Sequence, residues 1–272
     1  MIPAAFEYVR AASAEEAVAL LTEHGDEAKL LAGGHSLLPL MKLRLAAPAV
    51  LIDVGRLRNL AYIRDDGDEV AIGALSRHRD LESSALLASS VPVLAAAAGV
   101  VGDPQVRHRG TLGGSLAHGD PASDLPAVVL ALGATLVAQG PAGTRSIAAD
   151  AFFEGFLETA LAPDEMLVEV RVPKAPAGSY QKFNRRAQDW AIVGACVATG
   201  PAGTGVALVN MGSRPVRAAA VEAALASGAS AREAAELAAE GTEAPVDANA
   251  GAEYRGHLAR VLVRRALEAS GL

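Results

Sequence analysis

The sequence predicts an α+β fold in two parts, a larger one over residues 1–176 and a smaller one over 177–272. Three observations carry this. Short apolar runs of strand length alternate with helix-length segments up to residue 172. A turn-rich stretch, Pro173-Lys174-Ala175-Pro176-Ala177-Gly178, is the best candidate for a linker. Beyond it come three strand-like runs in series, then a helical pattern to the end of the chain.

Each element has a local reason. Ser13-Ala14-Glu15-Glu16 has the form of a capping box, and the helix it opens places Ala17, Leu20 and Leu21 on an apolar face before Gly25 ends it. Residues 29–32 form a buried strand, 37–43 a short helix and 50–54 a second strand. Strand, loop, helix, strand is a βαβ unit with parallel strands, and it defines a first subdomain over about 1–56. In the second subdomain, 57–176, two short runs flank Asp65-Asp66-Gly67-Asp68, which is a hairpin signal. Helices follow near 76–81, at 92–101 and at 126–132, with strands at 135–138 and 166–172. The smaller part has strands at 179–183, 192–199 and 206–210, the last two joined by Gly200-Pro201-Ala202-Gly203. They form a three-stranded antiparallel sheet, and helices at 216–226, 231–239 and 254–269 complete it.

Composition excludes several classes. A net charge of −7 with no basic stripe argues against a nucleic-acid partner. The N-terminus, Met1 to Glu7, lacks a basic stretch followed by an apolar one, so no signal peptide is expected. The apolar run 125–138 is broken by Gly133 and is shorter than the roughly 20 residues of a spanning helix. The expected location is the cytoplasm, free or held peripherally at the membrane through partners. Cys196 is the single cysteine, so the chain can form no internal disulfide and cannot by itself supply the thiolates of an iron–sulfur cluster. None of the six histidines is paired at zinc-site spacing, and no metal site is expected.

Two stretches stand apart: Leu31-Ala32-Gly33-Gly34-His35-Ser36-Leu37 and Thr111-Leu112-Gly113-Gly114-Ser115. Adjacent glycines free the backbone to present consecutive N–H groups, the arrangement of an anion nest. Each stretch is expected after a strand and before a helix. Together they predict one ligand whose diphosphate is held from two sides; the alternative is a pair of tight turns. Neither a P-loop nor a G-x-G-x-x-G fingerprint is present.

These residues carry a family resemblance. Residues 32–42 resemble the first flavin-binding signature of the FAD-binding subunits of molybdenum hydroxylases, and 111–115 with 120–126 resemble the second. Residues 152–155, 163–167, 180–191 and 252–255 match further family stretches. The likeness is greatest to the medium subunits of aerobic carbon monoxide dehydrogenases and weaker to xanthine dehydrogenases. It implies a two-subdomain FAD-binding domain of the vanillyl-alcohol-oxidase (PCMH) type and a C-terminal domain peculiar to these subunits. It implies FAD as cofactor, with Leu31, Ala32, Gly33, Gly34, His35, Ser36, Leu37, Thr111, Leu112, Gly113, Gly114 and Ser115 around the diphosphate. Val101, Leu167 and Lys182 would contact FAD. Asp124 would bind a flavin hydroxyl or brace the second loop, or else cap a helix. Trp190 would lie near the isoalloxazine ring, or else in a core or interface. Ser115 stands where many relatives have Asn.

The implied partners are a large molybdenum-cofactor subunit and a small iron–sulfur subunit, in a dimer of three-chain units. Electrons would pass from the iron–sulfur subunit through FAD to an external acceptor such as a quinone. No catalytic acid, base or nucleophile is expected in this chain. A stand-alone flavin oxidase or reductase would need one, and Tyr180 and His118 are its only candidates. A third alternative is a nucleotide-binding scaffold without redox chemistry. His78, His108 and His118 are expected on the surface or at caps, His35 as a turn residue, and Arg185 and Arg186 on a solvated face or subunit contact. The substrate of the complex stays open among carbon monoxide, N-heterocycles, purines, aldehydes and aromatic thioesters.

Overall fold

A computed structural model describes residues 2–272; Met1, the first residue of the N-terminal stretch considered above, lies outside them. The chain begins with β1 (Glu7–Arg10), α1 (Ala14–His24), β2 (Ala28–Leu31), α2 (Leu37–Leu43) and β3 (Val50–Asp53). The three strands form a parallel sheet in the order β1-β3-β2. The Ser13 side chain accepts from Glu16 N–H at 3.2 Å while Glu16 Oε2 accepts from Ala12 N–H at 2.6 Å, so both ends of the cap are satisfied. Strand β1 was not expected from the sequence. It is an edge strand whose residues are mostly exposed, so it shows no apolar alternation.

The hairpin β4 (Ile63–Asp66) and β5 (Glu69–Gly73) leads into α3 (His78–Glu82), α4 (Ala85–Ser90), α5 (Pro92–Gly99), α6 (Pro104–Arg109), α7 (Leu112–His118) and α8 (Asp124–Ala131). Then come β6 (Thr135–Gly140), β7 (Gly143–Ala148), the single turn α9 (Ala149–Phe152), a small hairpin of β8 (Phe153–Gly155) and β9 (Glu158–Thr159), and β10 (Met166–Pro173). The second sheet is antiparallel, in the order β4-β5-β10-β6-β7. Every residue of α8 is buried, which explains why its sequence shows no amphipathic period. The first sheet packs behind the second: Met166 and Val168 of β10 share a core with Ala17, Val18 and Ile52.

The third sheet consists of β11 (Ala177–Phe183), β12 (Val193–Gly200), β13 (Gly203–Val209) and β14 (Val216–Arg217), in that order. Four strands replace the three expected. Residues 216–217 pair with β13, and the helix expected from 216 begins only with α10 (Ala219–Ala226). Helices α11 (Ala231–Ala235) and α12 (Ala252–Ala269) follow. One face of the sheet, with Val193, Ala195, Val197 and Leu208, packs on these helices. The other, with Cys196, Ala198, Ala207 and Val209, joins the core formed by α5, α8 and the second sheet. A sheet covered on both faces needs apolar residues at successive positions, which is why β12 has no alternation.

The linker candidate is not a free linker. Only residues 174–176 separate β10 from β11; Lys174 N–H donates to Asp68 O at 2.9 Å, Ala175 N–H to Ser90 O at 2.9 Å, and Ala175 is buried. No helix among the described residues is long and apolar enough to cross a membrane.

Arg255 on α12 is fully buried; it donates to Ile192 O and, at 2.8 Å, to Asp247 Oδ2. Arg255→Met removes charge-assisted bonds that tie α12 to Ile192, just before β12, and to Asp247 in the loop that precedes the helix, and should cost about 2–3 kcal/mol in denaturant unfolding. Breaking the looser exposed pair Arg264–Glu268 (3.9 Å) by Arg264→Ala should cost under about 0.5 kcal/mol in the same measurement.

Candidate functional site

A cleft of about 540 Å³ draws its walls from all three sheets and the helices between them. That volume lies within the usual range of small-molecule sites. Its floor is the turn after β2. Gly34 has φ +78°, a conformation that favours glycine. At Gly33 the constraint is space, because a Cβ would stand 2.4 Å from Arg109 O and 2.9 Å from Gly110 Cα. Among the described residues, the N–H groups of Gly33, Gly34, His35, Ser36 and Leu37 have no hydrogen-bond acceptor. Five successive donors without an acceptor thus lie along the cleft and lead into α2, the kind of row an anion nest is built from.

The second glycine stretch is different from the expected loop. Thr111 is the N-cap of α7, and Gly113 and Gly114 lie in its first turn. No strand of the sheets precedes it, only an isolated bridge between Arg77 and Thr111. Its donors are already used. Leu112 N–H goes to Ser76 O (2.9 Å), Gly113 N–H to Ala74 O (2.8 Å), Gly114 N–H to Thr111 Oγ1 (3.1 Å) and Ser115 N–H to Thr111 O (3.1 Å). This segment forms a smooth wall and is not a second nest. A Cβ on Gly113 would stand 2.6 Å from Ala74 Cβ, whereas one on Gly114 would meet only the Thr111 hydroxyl, at 2.8 Å.

Of the residues singled out from the sequence, Leu31 to Leu37, Val101, Thr111, Gly113, Gly114, Ser115, Asp124, Leu167, Lys182 and Trp190 all line this one cleft. Leu112 does not; its side chain is buried in the core, because it follows the cap on the inward face of α7.

Asp124 is the first residue of α8 and not its cap, which is Ser123. Its carboxylate is buried, receives Lys182 Nζ at 2.9 Å and accepts from Tyr180 OH at 2.5 Å. Burial pushes the Asp124 carboxyl up, and the Lys182 charge opposes that shift. Lys182 also donates to Val100 O at 3.1 Å, next to Val101 in the cleft wall. Burial and the neighbouring Asp124 carboxylate raise the Tyr180 phenol well above its ordinary range. Tyr180 is therefore committed to Asp124 and cannot serve as a base.

Trp190 sits on the loop after β11, 67% exposed, so the core alternative does not hold. That loop is braced by the Arg186–Asp189 pair at 3.0 Å and by Asn210 Nδ2, which donates to Ala191 O at 2.9 Å. Arg186 itself is mostly exposed, as expected of a solvated face.

His78 departs from the surface position expected. It is 4% exposed, lines the cleft, and burial with nearby His35 and Arg107 lowers its pKa to about 4. His118 is half-buried at the end of α7 and also lines the cleft, while His108 is exposed on α6. Sequence reasoning missed His78 because it opens a helix of five residues, where a cap or surface place is the ordinary one. It also missed Gln188 and Asp189, which lie on an irregular loop without periodicity.

Known proteins bear on this site. Residues 4–175 match the family described as the FAD binding domain in molybdopterin dehydrogenase, and 178–270 match the CO dehydrogenase flavoprotein C-terminal domain. The chain is 43% identical to the carbon monoxide dehydrogenase medium chain of Hydrogenophaga pseudoflava, over 99% of this chain and 98% of that one. It is 37% identical to the nicotine 6-hydroxylase medium subunit of Paenarthrobacter nicotinovorans, over 98% of each. The solved carbon monoxide dehydrogenase from Hydrogenophaga pseudoflava, lacking the Mo-pyranopterin moiety, matches with a TM-score of 0.96 at 44% identity, over 100% of this chain and 99% of that one. Quinoline 2-oxidoreductase from Pseudomonas putida 86 matches at 0.92 and 32% identity, over 100% and 99%.

The two glycines of α7 should separate fold from binding. Gly113→Val drives a side chain into Ala74 and should lower the melting temperature sharply. Gly114→Val displaces only the Thr111 hydroxyl, at a stability cost of about 1 kcal/mol. It should yield folded protein with little or no bound flavin by absorbance; normal flavin content in a folded Gly114→Val protein would contradict the geometry.

Proposed function

The chain belongs to the family of FAD-binding subunits of molybdopterin dehydrogenases, and on that premise we propose that it is the electron-relay subunit of a molybdenum hydroxylase complex most like carbon monoxide dehydrogenase. The observation that carries this reading is the cleft itself: five backbone donors without an acceptor at one end, Trp190 at the rim, and Asp124 in its wall already paired with Lys182 and Tyr180.

FAD is the cofactor of this family, and when bound it supplies the electron-transfer chemistry. The chain's own residues supply place and environment. The row at 33–37 neutralises a diphosphate without a cationic side chain, because consecutive N–H dipoles converge on one point. The Asp124–Lys182 pair fixes α8 to β11 and so holds Val101 and Lys182 at fixed positions in the wall. Trp190 offers an aromatic face that covers one side of a flavin and keeps water from it.

Such a subunit needs an electron source outside itself. Cys196 is buried, burial pushes its thiol far up, and one thiolate cannot hold a cluster. The source in this reading is a small iron–sulfur partner, fed by a large molybdenum-cofactor partner, with a quinone or similar carrier as acceptor. The relatives' names support a subunit role, since two of them are a medium chain and a medium subunit matched along nearly their whole length. They also differ in substrate, from carbon monoxide to nicotine, which fits a substrate pocket housed in another chain.

Two outcomes are expected. The isolated chain should bind FAD yet leave it oxidised when carbon monoxide or another hydroxylase substrate is added anaerobically, and adding both partners should bleach the flavin at 450 nm, roughly the usual flavin band. Bleaching by the isolated chain would replace the relay reading with a stand-alone enzyme. Trp190 is the only tryptophan, so its fluorescence should fall strongly on FAD addition to the apoprotein; unchanged emission would place it away from the flavin.

A further inference from the structure

We infer that His78 is a cofactor-binding residue whose imidazole Nε2–H donates a hydrogen bond to the diphosphate received by the row at 33–37. This rests on the reading that the row receives the diphosphate of FAD.

The imidazole is almost completely buried, yet it lines the cleft. Its position is fixed from two directions. His78 N–H donates to Gly110 O at 3.0 Å, and the Cδ2–Nε2 edge of the ring lies so close to Gly110 that a Cβ there would stand 2.7 and 2.8 Å from those atoms. Gly110 is in turn the residue against which Gly33 packs. The ring edge, Gly110 and Gly33 follow one another with no side chain between them, so the imidazole stands beside the nest.

Neither ring nitrogen has a hydrogen-bond partner among the described residues, and Nδ1 is enclosed with none. A buried polar side chain without a partner is costly in a folded protein and marks a group reserved for something else. A neutral imidazole carries one proton, on one of its two nitrogens. At Nδ1 that proton would be a buried donor with no acceptor. At Nε2, which is not enclosed as Nδ1 is, the proton is offered beside Gly110, where an anion in the cleft would accept it. Burial above all, then nearby His35 and Arg107, keeps the ring neutral. A donor facing a phosphate oxygen then forms a charge-assisted bond without the solvation cost of a buried imidazolium.

The test uses the full chain stripped of flavin. Dissociation constants for FAD, ADP and riboflavin are measured by calorimetry on wild type, His78→Gln, His78→Asn and His78→Leu, with apoprotein melting curves as the check on folding. Glutamine places its amide nitrogen near the position of imidazole Nε2, whereas asparagine reaches only the Nδ1 position. His78→Leu and His78→Asn should weaken FAD and ADP about 10- to 100-fold, His78→Gln less than about threefold, and riboflavin should be unaffected by all three. A residue that merely fills space would not separate Gln from Asn. Histidine labelling gives a second readout: ADP should shift the Nε2 resonance that is missing from the His78→Leu spectrum, and riboflavin should not. Equal ADP affinity in wild type and His78→Leu, or an Nε2 resonance indifferent to ADP, overturns the proposal and leaves the diphosphate reading standing. Failure of wild type to bind ADP while it binds riboflavin overturns both.

Discussion

The contact on which the site depends is a backbone-to-backbone approach between two distant segments. Gly33 meets Arg109 and Gly110 so closely that one methyl group would separate them. Because no side chain intervenes, the turn after β2 and the start of α7 become two walls of a single cleft. The parallel sheet of the first fifty residues is thereby locked to the helices laid over the second sheet. The row of free donors at 33–37 begins at this contact. His35 and Ser36 are exposed, so a ligand there takes the place of water on their donors.

The second organising interaction is the buried group of Asp124, Lys182 and Tyr180. A buried charge is tolerated only when paired and hydrogen-bonded, and here the carboxylate comes from one element and both of its partners from another. Asp124 opens α8, while Lys182 and Tyr180 lie on β11. The third sheet is thus fastened to the cleft by a polar contact at its edge and by apolar packing over its face. Gly205 shows how tight that packing is, since a Cβ there would stand 1.9 Å from Ala131 O. The C-terminal region consequently lines the cleft through Lys182 and Trp190, although its own core lies on the far side of the sheet.

Electrostatic design in the cleft is economical. The only buried lysine in its wall is already neutralised by Asp124, and His78 is held neutral by burial. Negative charge on a ligand can then be met by neutral donors such as the backbone row at 33–37, which needs no reorganisation when it binds. That arrangement suits a protein that holds a redox group in one position and leaves substrate chemistry to another chain.

The sequence by itself determined a good deal. The capping box at Ser13, the βαβ unit, the Asp-Gly hairpin and the apolar runs of the third sheet are local signals, set by periods and turn chemistry within a few residues. The paired glycines marked both segments of the cleft for the same reason, as did the family motifs around them. Tertiary structure decided the rest. Gly33 is required by a segment more than seventy residues away, and Gly113 by Ala74, so neither reason is visible locally. The second glycine pair became the first turn of a helix because Ser76 and Ala74 supply acceptors for its donors. Strand β14 exists only where β13 offers it an edge. His78 was withdrawn from the surface by the close approach of Gly110. Periodicity reports which face of an element is buried; which backbone carbonyl or ring fills the space opposite depends on contacts that the chain makes only once it is folded.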